Sequence, residues 1–282
     1  MGVDPGLLGH ASTPVNNVGH GADLLLNALG RALAPHGLNL IGATTPGAYD
    51  AGIPGPYALA RLMPGAKGVV VIGNGGGDLW AAFRDFCRKH PGHEATADPL
   101  DAFTRRVIEE VARPLVGPGA RFLYPFRFPD DPVSFMRLAE CAGLGRPSLT
   151  GVLVHPVFGP WMALRAAILV EQRVDAARPA DGFDPCPSCT ERSCIPACPA
   201  GAVGPTGWDV PRCAGHRGGE TDGCPARCEA RFECVVGREH RYPADALAYH
   251  QTRARASLSA FVTASGRGTP ARGPGRDPTP RA

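Results

Sequence analysis

The sequence predicts a mixed helix-and-strand body joined to a loop-rich segment organised by cysteines. Three observations carry this reading. Leucines at helical spacing alternate along the chain with short apolar runs rich in β-branched residues, so both helices and strands are expected. The 282 residues include 37 glycines and 30 prolines, too many breaks for a long helical bundle. Eight of the ten cysteines fall between Cys186 and Cys234. The length allows one large domain or two small ones, and 44% hydrophobic residues suffice to bury a core.

Residues 1–19 are Gly, Pro and Asn-rich without periodicity, an expected extended lead-in. From Asp23, Leu25, Leu29 and Leu33 mark a helix that stops at Pro35 and Gly37. Residues 38–43 read as a short strand, 44–56 as a loop, and 57–63 as a turn or two of helix closed by Pro64 and Gly65. GVVVIGN at 68–74 is the strongest buried-strand candidate. Helices are expected over 77–90 and 98–116, the second with Asp98 as N-cap and Pro99 at its first position. Residues 121–126 read as a strand and 132–144 as a helix ended by glycine, with Asp130 and Asp131 as its N-cap region. Residues 149–156 and 161–172 read as two buried strands joined by the turn Val157-Phe158-Gly159-Pro160. Composition then divides the chain into a body over 20–177, a cysteine segment over 178–240, a helix over 241–262 packing on the body, and a low-complexity tail over 263–282 expected to be disordered.

Several function classes are excluded at this level. The net charge is +3, but residues 251–282 hold six arginines and one aspartate, so the rest is slightly acidic and makes no case for specific nucleic-acid binding. No stretch approaches ~18 consecutive apolar residues, so no membrane span is expected. The first residues lack a basic stretch followed by an apolar one, which points to the cytoplasm, where thiols stay reduced. The run Gly73-Asn74-Gly75-Gly76-Gly77 follows a strand but lacks a phosphate-binding pattern, and a tight turn or a lip over a cofactor is the expectation.

Cysteines concentrated in a cytoplasmic chain point to metal. Cys186, Cys189, Cys194 and Cys198 are spaced x2, x4, x3, with Pro199 following, close to the x2, x2, x3 run of ferredoxin-type iron–sulfur sites. Cys213, Cys224, Cys228 and Cys234 bring the total to eight, the number that two [4Fe–4S] clusters require. In ferredoxins the fourth cysteine of a run serves the other cluster. That logic groups Cys186, Cys189, Cys194 and Cys234 as one set, and Cys198, Cys213, Cys224 and Cys228 as the other. One or two clusters are therefore expected; a tetrathiolate zinc site in a binding module is the alternative. Cys87 and Cys141 fall within helices and read as ordinary buried residues.

The stretch Thr150-Gly151-Val152, His155-Pro156-Val157-Phe158-Gly159-Pro160-Trp161, Ala163 and Arg165 resembles the cobalamin-processing proteins deficient in combined methylmalonic aciduria and homocystinuria type C. Residues 78–103 and 241–251 resemble two further stretches of that family in the same order. Residues 139–161, with the cysteine segment, resemble in part epoxyqueuosine reductase, which joins a related body to two ferredoxin-type clusters. The proton-donating aspartate of that enzyme would fall near Pro129, with Asp130 and Asp131 adjacent but out of register, which puts the queuosine reaction in doubt.

These resemblances imply an α+β body of nitroreductase or flavin-reductase type that binds a cobalamin-type corrinoid, with iron–sulfur centres feeding it electrons from a donor such as a flavodoxin or a reductase. They place His155, Phe158, Gly159 and Trp161 at the corrinoid. His155 supplies a polar contact to cobalt or to the nucleotide tail, Gly159 a tight turn under the macrocycle, and Phe158, Trp161 and Tyr124 its aromatic floor. A ferredoxin-like electron carrier without corrinoid is the competing reading.

Overall fold

The computed structural model describes residues 24–127, 130–174, 182–218 and 223–264. The expected lead-in, Pro129 and the tail beyond Ala264 lie outside the described residues.

Helix α1 (Leu24–Leu33) buries Leu25, Leu26, Leu29 and Leu33, the one-sided stripe that a three-to-four residue spacing produces. Strand β1 (Leu40–Thr44) follows. Within 44–56, where a loop is expected, the chain instead forms a short helix, α2 (Pro46–Asp50). Thr45 caps it by accepting from the Ala48 amide at 3.2 Å, and Pro46 holds its first turn. Five residues are too few to show a period, so only the Thr-Pro pair announces this helix. Helix α3 (Leu59–Leu62) begins where the Asp50 carboxylate accepts from the Leu59 amide at 2.7 Å.

Strand β2 (Gly68–Gly75) is buried along its whole length. Helices α4 (Asp78–Lys89) and α5 (Pro99–Val116) come next. Asp98 holds the N-cap position of α5, but its side chain makes no capping hydrogen bond. Its φ and ψ of −134° and 71° depart from the extended conformation that aims a cap at the amides. Strand β3 (Arg121–Leu123) is shorter than the expected 121–126, because Pro125 has no N–H for a ladder and starts a helical turn instead. Helix α6 (Phe135–Cys141) is capped by Ser134, not by Asp130 or Asp131. Asp131 is buried and takes Arg121 at 3.1 Å and Arg127 at 3.6 Å.

Strands β4 (Arg146–Pro147), β5 (Leu153–Val154) and β6 (Met162–Val170) complete the strands of this part. The main sheet has the order β1-β2-β6-β3. β1 runs antiparallel to β2 with Leu40 opposite Gly73, and β3 antiparallel to β6 with Phe122 opposite Ile168. The expected hairpin of 149–156 with 161–172 does not form. Only β5 is strand in the first stretch, and it pairs with β4 in a separate ribbon. Gly151 at φ +78° sits in the turn that joins β4 to β5, and His155 bridges Gly159 to close a second tight turn.

The chain divides into two compact units. The first is drawn from Met1–Asn74, Phe86–Gly143 and Leu164–Arg178. In it α1 packs on α5 and β1, and the buried Arg165 is held by Asn74 Oδ1 at 2.8 Å and Asp101 at 3.9 Å, so its charge is compensated. The second is drawn from Gly75–Asp85, Leu144–Ala163 and Pro179–Ala282. It holds helix α7 (Pro185–Ser188), the ribbon of β7 (Val203–Gly204) with β8 (Gly207–Trp208), and helices α8 (Val210–Arg217), α9 (Glu229–Phe232) and α10 (Ala244–Ala264). Its apolar cluster is Trp161, Tyr242 and Ala246, packed by Trp80, Phe232 and Leu247. No helix among the described residues is long and apolar enough to cross a membrane.

Candidate metal centre

Short elements with little apolar core of their own carry the cysteines of the second unit. Cys186 lies on α7, Cys213 on α8, Cys228 is the N-cap of α9, and Cys234 follows that helix. The fold brings the thiols together in two sets. Cys186, Cys189, Cys194 and Cys234 line one cavity, walled by Leu149, Val154, Val235 and Val236. In the other set Cys224 is neighboured by Cys228, Cys198 and Cys213, and Cys228 also by Cys213. Cys87 is buried in α4, and the Cys141 thiol faces the Ala48 carbonyl in the first unit at 3.7 Å.

The electrostatics of the thiols follow this division. Burial pushes the Cys194 thiol up, and Cys186, Cys234 and Cys189 push it further. Cys224 is raised by burial, then by Cys228, Cys198 and Cys213. Burial likewise raises Cys228 and Cys234. Four like charges around one space repel unless a cation lies among them, so each set is suited to a positively charged group that binds thiolates.

Backbone amides are aimed at the sulfurs. Arg192 N–H donates to Cys189 Sγ and Ala202 N–H to Cys198 Sγ, both at 3.3 Å. The amides of Glu229, Arg231 and Val236 do the same for Cys224, Cys228 and Cys234 and counter part of the upward shift. Arg192 and Cys224 are non-glycine residues in the left-handed region, at φ +45° and +53°. Sequence spacing identifies the thiols and is silent about these amides, which depend on φ and ψ.

Among the described residues, no three His, Cys, Asp or Glu side chains are grouped closely enough to hold one metal ion. Tetrathiolate zinc needs four sulfurs about 2.3 Å from a single point. A [4Fe–4S] cubane takes one thiolate at each of four separate irons, so its ligands surround a volume. Cys186, Cys189, Cys194 and Cys234 supply four thiols around one cavity, the number that either group takes.

The turn at 155–161 packs against the cysteine segment. Gly159 has φ +56°, and an added Cβ would run into the Val236 carbonyl oxygen. A Cβ on Gly237 would in turn meet the Phe158 carbonyl. The requirement for glycine at 159 therefore arises inside the protein, from the approach of two backbones. The Phe158 ring lies against Gly75, which explains the missing side chain there and makes the Gly73–Gly77 run a strand end that receives an aromatic ring. Trp161 is 1% exposed, with its ring edge-on to Phe232 and Tyr242 and with the Arg231 guanidinium 4.9 Å from its centroid. Arg231 also donates to the Pro160 carbonyl, and Gln251 on α10 donates to the Cys224 carbonyl at 2.7 Å. Neither residue stands out in the sequence, because arginines are abundant and Gln251 sits in an ordinary helical stretch. Tyr124 belongs to the first unit, where its buried hydroxyl donates to Glu109 at 3.2 Å; burial and that carboxylate raise its pKa.

His155 is 7% exposed, and its Nδ1 accepts from the Val157 and Phe158 amides at 3.1 and 3.2 Å. The proton of the neutral ring therefore sits on Nε2. Burial, with the neighbouring His240, pushes the His155 pKa down to about 4. The folded state thus refuses a proton that the unfolded chain accepts near 6.5. This residue's contribution to stability is complete above pH 6.5 and declines by on the order of 3 kcal/mol as pH falls toward 4. In an NMR titration the His155 ring shifts are expected to stay constant from pH 8 down to about 5. A His155 midpoint at the ordinary histidine value would show that the ring is solvated.

No protein-family model and no curated protein matches the sequence. Solved structures do. An epoxyqueuosine reductase from Bacillus subtilis aligns at 18% identity over 77% of this chain and 67% of its own, with a TM-score of 0.47. A catabolic reductive dehalogenase aligns at 22% identity over 85% of this chain but only 36% of its own, with a TM-score of 0.46. CblC, a B12-trafficking protein of C. elegans and a homologue of human MMACHC, aligns at 14% identity over 84% of this chain and 95% of that one, with a TM-score of 0.50. In fold, the chain is similar to CblC across most of both molecules.

Proposed function

We propose that the chain is an iron–sulfur redox protein that holds two [4Fe–4S] clusters, binds a cobalamin-type corrinoid and passes electrons to it. Cys186, Cys189, Cys194 and Cys234 hold one cluster; Cys198, Cys213, Cys224 and Cys228 hold the other. The observation that carries the reading is the gathering of eight thiols into two sets of four, with backbone amides directed at their sulfurs. Bound there, the clusters supply one-electron transfer at low potential. Leu149, Val154, Val235 and Val236 give the first set an apolar wall, and the amides tune the charge that its sulfurs carry.

The corrinoid part draws on the fold shared with a B12-trafficking protein. It also draws on His155, whose Nε2–H remains as a donor once Nδ1 is occupied by the backbone. On this reading the body is of flavin-reductase type, the cysteine segment of ferredoxin type, and the electrons come from a cytoplasmic flavodoxin or reductase. Cobalamin titrated into cluster-loaded protein is expected to shift its visible spectrum toward the base-off form. A flat spectrum at high micromolar cobalamin removes the corrinoid and leaves a ferredoxin-like electron carrier. One observation favours that second reading: Gly159 and Trp161 are already enclosed within their own unit.

A further inference from the structure

The two sets of thiols differ in the charge that surrounds them. Around the first set, positive and negative side chains balance. Arg192 and Glu233 both line its cavity, and Arg238, which acts on Cys234, is paired with Glu191 at 3.4 Å on the exposed surface. Around the second set they do not. Arg217 lies four positions after Cys213 on α8, which puts the two on one face of that helix. Arg231 lies three positions after Cys228, the N-cap of α9, and borders one cavity with it. Both guanidinium charges pull the Cys228 pKa down against burial. Neither is paired with a carboxylate among the described residues: Arg231 donates to the Pro160 carbonyl, and Arg217 to the Gln251 carbonyl at 3.1 Å. The Nε of Arg217 is buried and has no hydrogen-bond partner at all. Arg227, a third cation nearby, is already engaged by Glu229 at 3.1 Å. Part-buried positive charge without a counter-charge is costly, and a negatively charged group among the thiols offsets that cost. Amides do not separate the two sets. Arg192, Cys194 and Val236 donate to sulfurs of the first, and Ala202, Glu229 and Arg231 to sulfurs of the second.

We propose that Arg217 and Arg231 set the order in which the two clusters are reduced: the cluster of Cys198, Cys213, Cys224 and Cys228 has the higher potential and takes the first electron. The inference rests on the two-cluster reading above. Reduction adds one negative charge to a cluster, with no bond formed or broken, and the electron comes from an external one-electron donor. Two uncompensated arginines stabilise that charge at the second set, while the balanced, exposed pair beside the first set contributes little. The two arginines are positioning residues, since they act on the cluster through its surroundings and ligate nothing.

Redox titration of the full-length, anaerobically prepared protein with dithionite, followed by electron paramagnetic resonance, tests the proposal. The wild type is expected to show two separate potentials. The higher one should remain in Cys234→Ala, which keeps the second set intact, and the lower one in Cys228→Ala. Arg217→Gln and Arg231→Gln are each expected to lower the higher potential by about 59 mV, a tenfold change in the reduction equilibrium, and to leave the lower one in place. Arg217→Lys and Arg231→Lys keep the charge and should restore the wild-type value, which a packing role alone would not require. The wild-type and cysteine-variant titrations decide the order even where an arginine variant fails to fold. Eight irons with one shared potential, a higher potential that is lost in Cys234→Ala, or Gln variants with unchanged potentials overturn this proposal alone. Zinc or only four irons in the wild type overturns the two-cluster reading, and this proposal with it.

Discussion

Anaerobically prepared protein is expected to contain about eight irons with matching labile sulfide, and Cys234→Ala about four. Cys234 lies 48 positions after Cys186, yet the two line one cavity with Cys189 and Cys194. Removing one thiolate from that set leaves an iron without its ligand and costs the whole cluster. Cys228→Ala is expected to remove the other four irons, because Cys213 and Cys224 are its neighbours and Cys224 is also beside Cys198. Cys87→Ala and Cys141→Ala serve as controls, since these thiols belong to the first unit, and iron content should not change. Each cluster loss is also expected to loosen the cysteine segment, whose described elements run to eight residues at most before α10 and have little apolar core of their own. Stoichiometric zinc with no labile sulfide would overturn the assignment, as would a Cys234→Ala protein that retains all its iron.

Gly159→Val is expected to destabilise the second unit by more than about 4 kcal/mol, enough to prevent its folding. Two penalties add there. A β-branched residue is strained at φ +56°, and its Cβ would overlap the Val236 carbonyl oxygen. Val236 and Gly237 cannot retreat freely, because a Cβ-sized space is also missing at Gly237 against the Phe158 carbonyl. Val236 belongs to the wall of the first cysteine cavity, so iron held by Cys234 should be lost along with the fold. Gly65→Ala is the control: nothing lies within 4 Å of the added atom, and the change is expected to stay within about 0.5 kcal/mol. Urea denaturation followed by tryptophan fluorescence, with iron analysis of the soluble fraction, reads both effects. Wild-type stability and iron in Gly159→Val would mean that the two backbones do not meet.

Periodicity and residue type determined much of this molecule by themselves. The Leu25, Leu29 and Leu33 stripe, the all-apolar run at 68–74 and the apolar stretch at 161–172 are legible because burial of one face, or of both, writes itself into the order of residues. The cysteines are legible for a different reason. Their chemistry is rare, so number and spacing point to metal, and the likeness to ferredoxin runs suggests a division into two sets of four. Tertiary structure alone decided what covers each buried face. The residues at 149–161 read as a hairpin because periodicity records that a side chain is buried and not by what; in the fold their turn meets Val236 and Gly237. Gly75 accommodates Phe158 from 83 positions away, and Gly159 is a glycine because of a carbonyl 77 positions later. Arg217, Arg231 and Gln251 were equally hidden. A donor has meaning only through the acceptor it reaches or lacks, and that depends on distances that a linear order of residues does not contain.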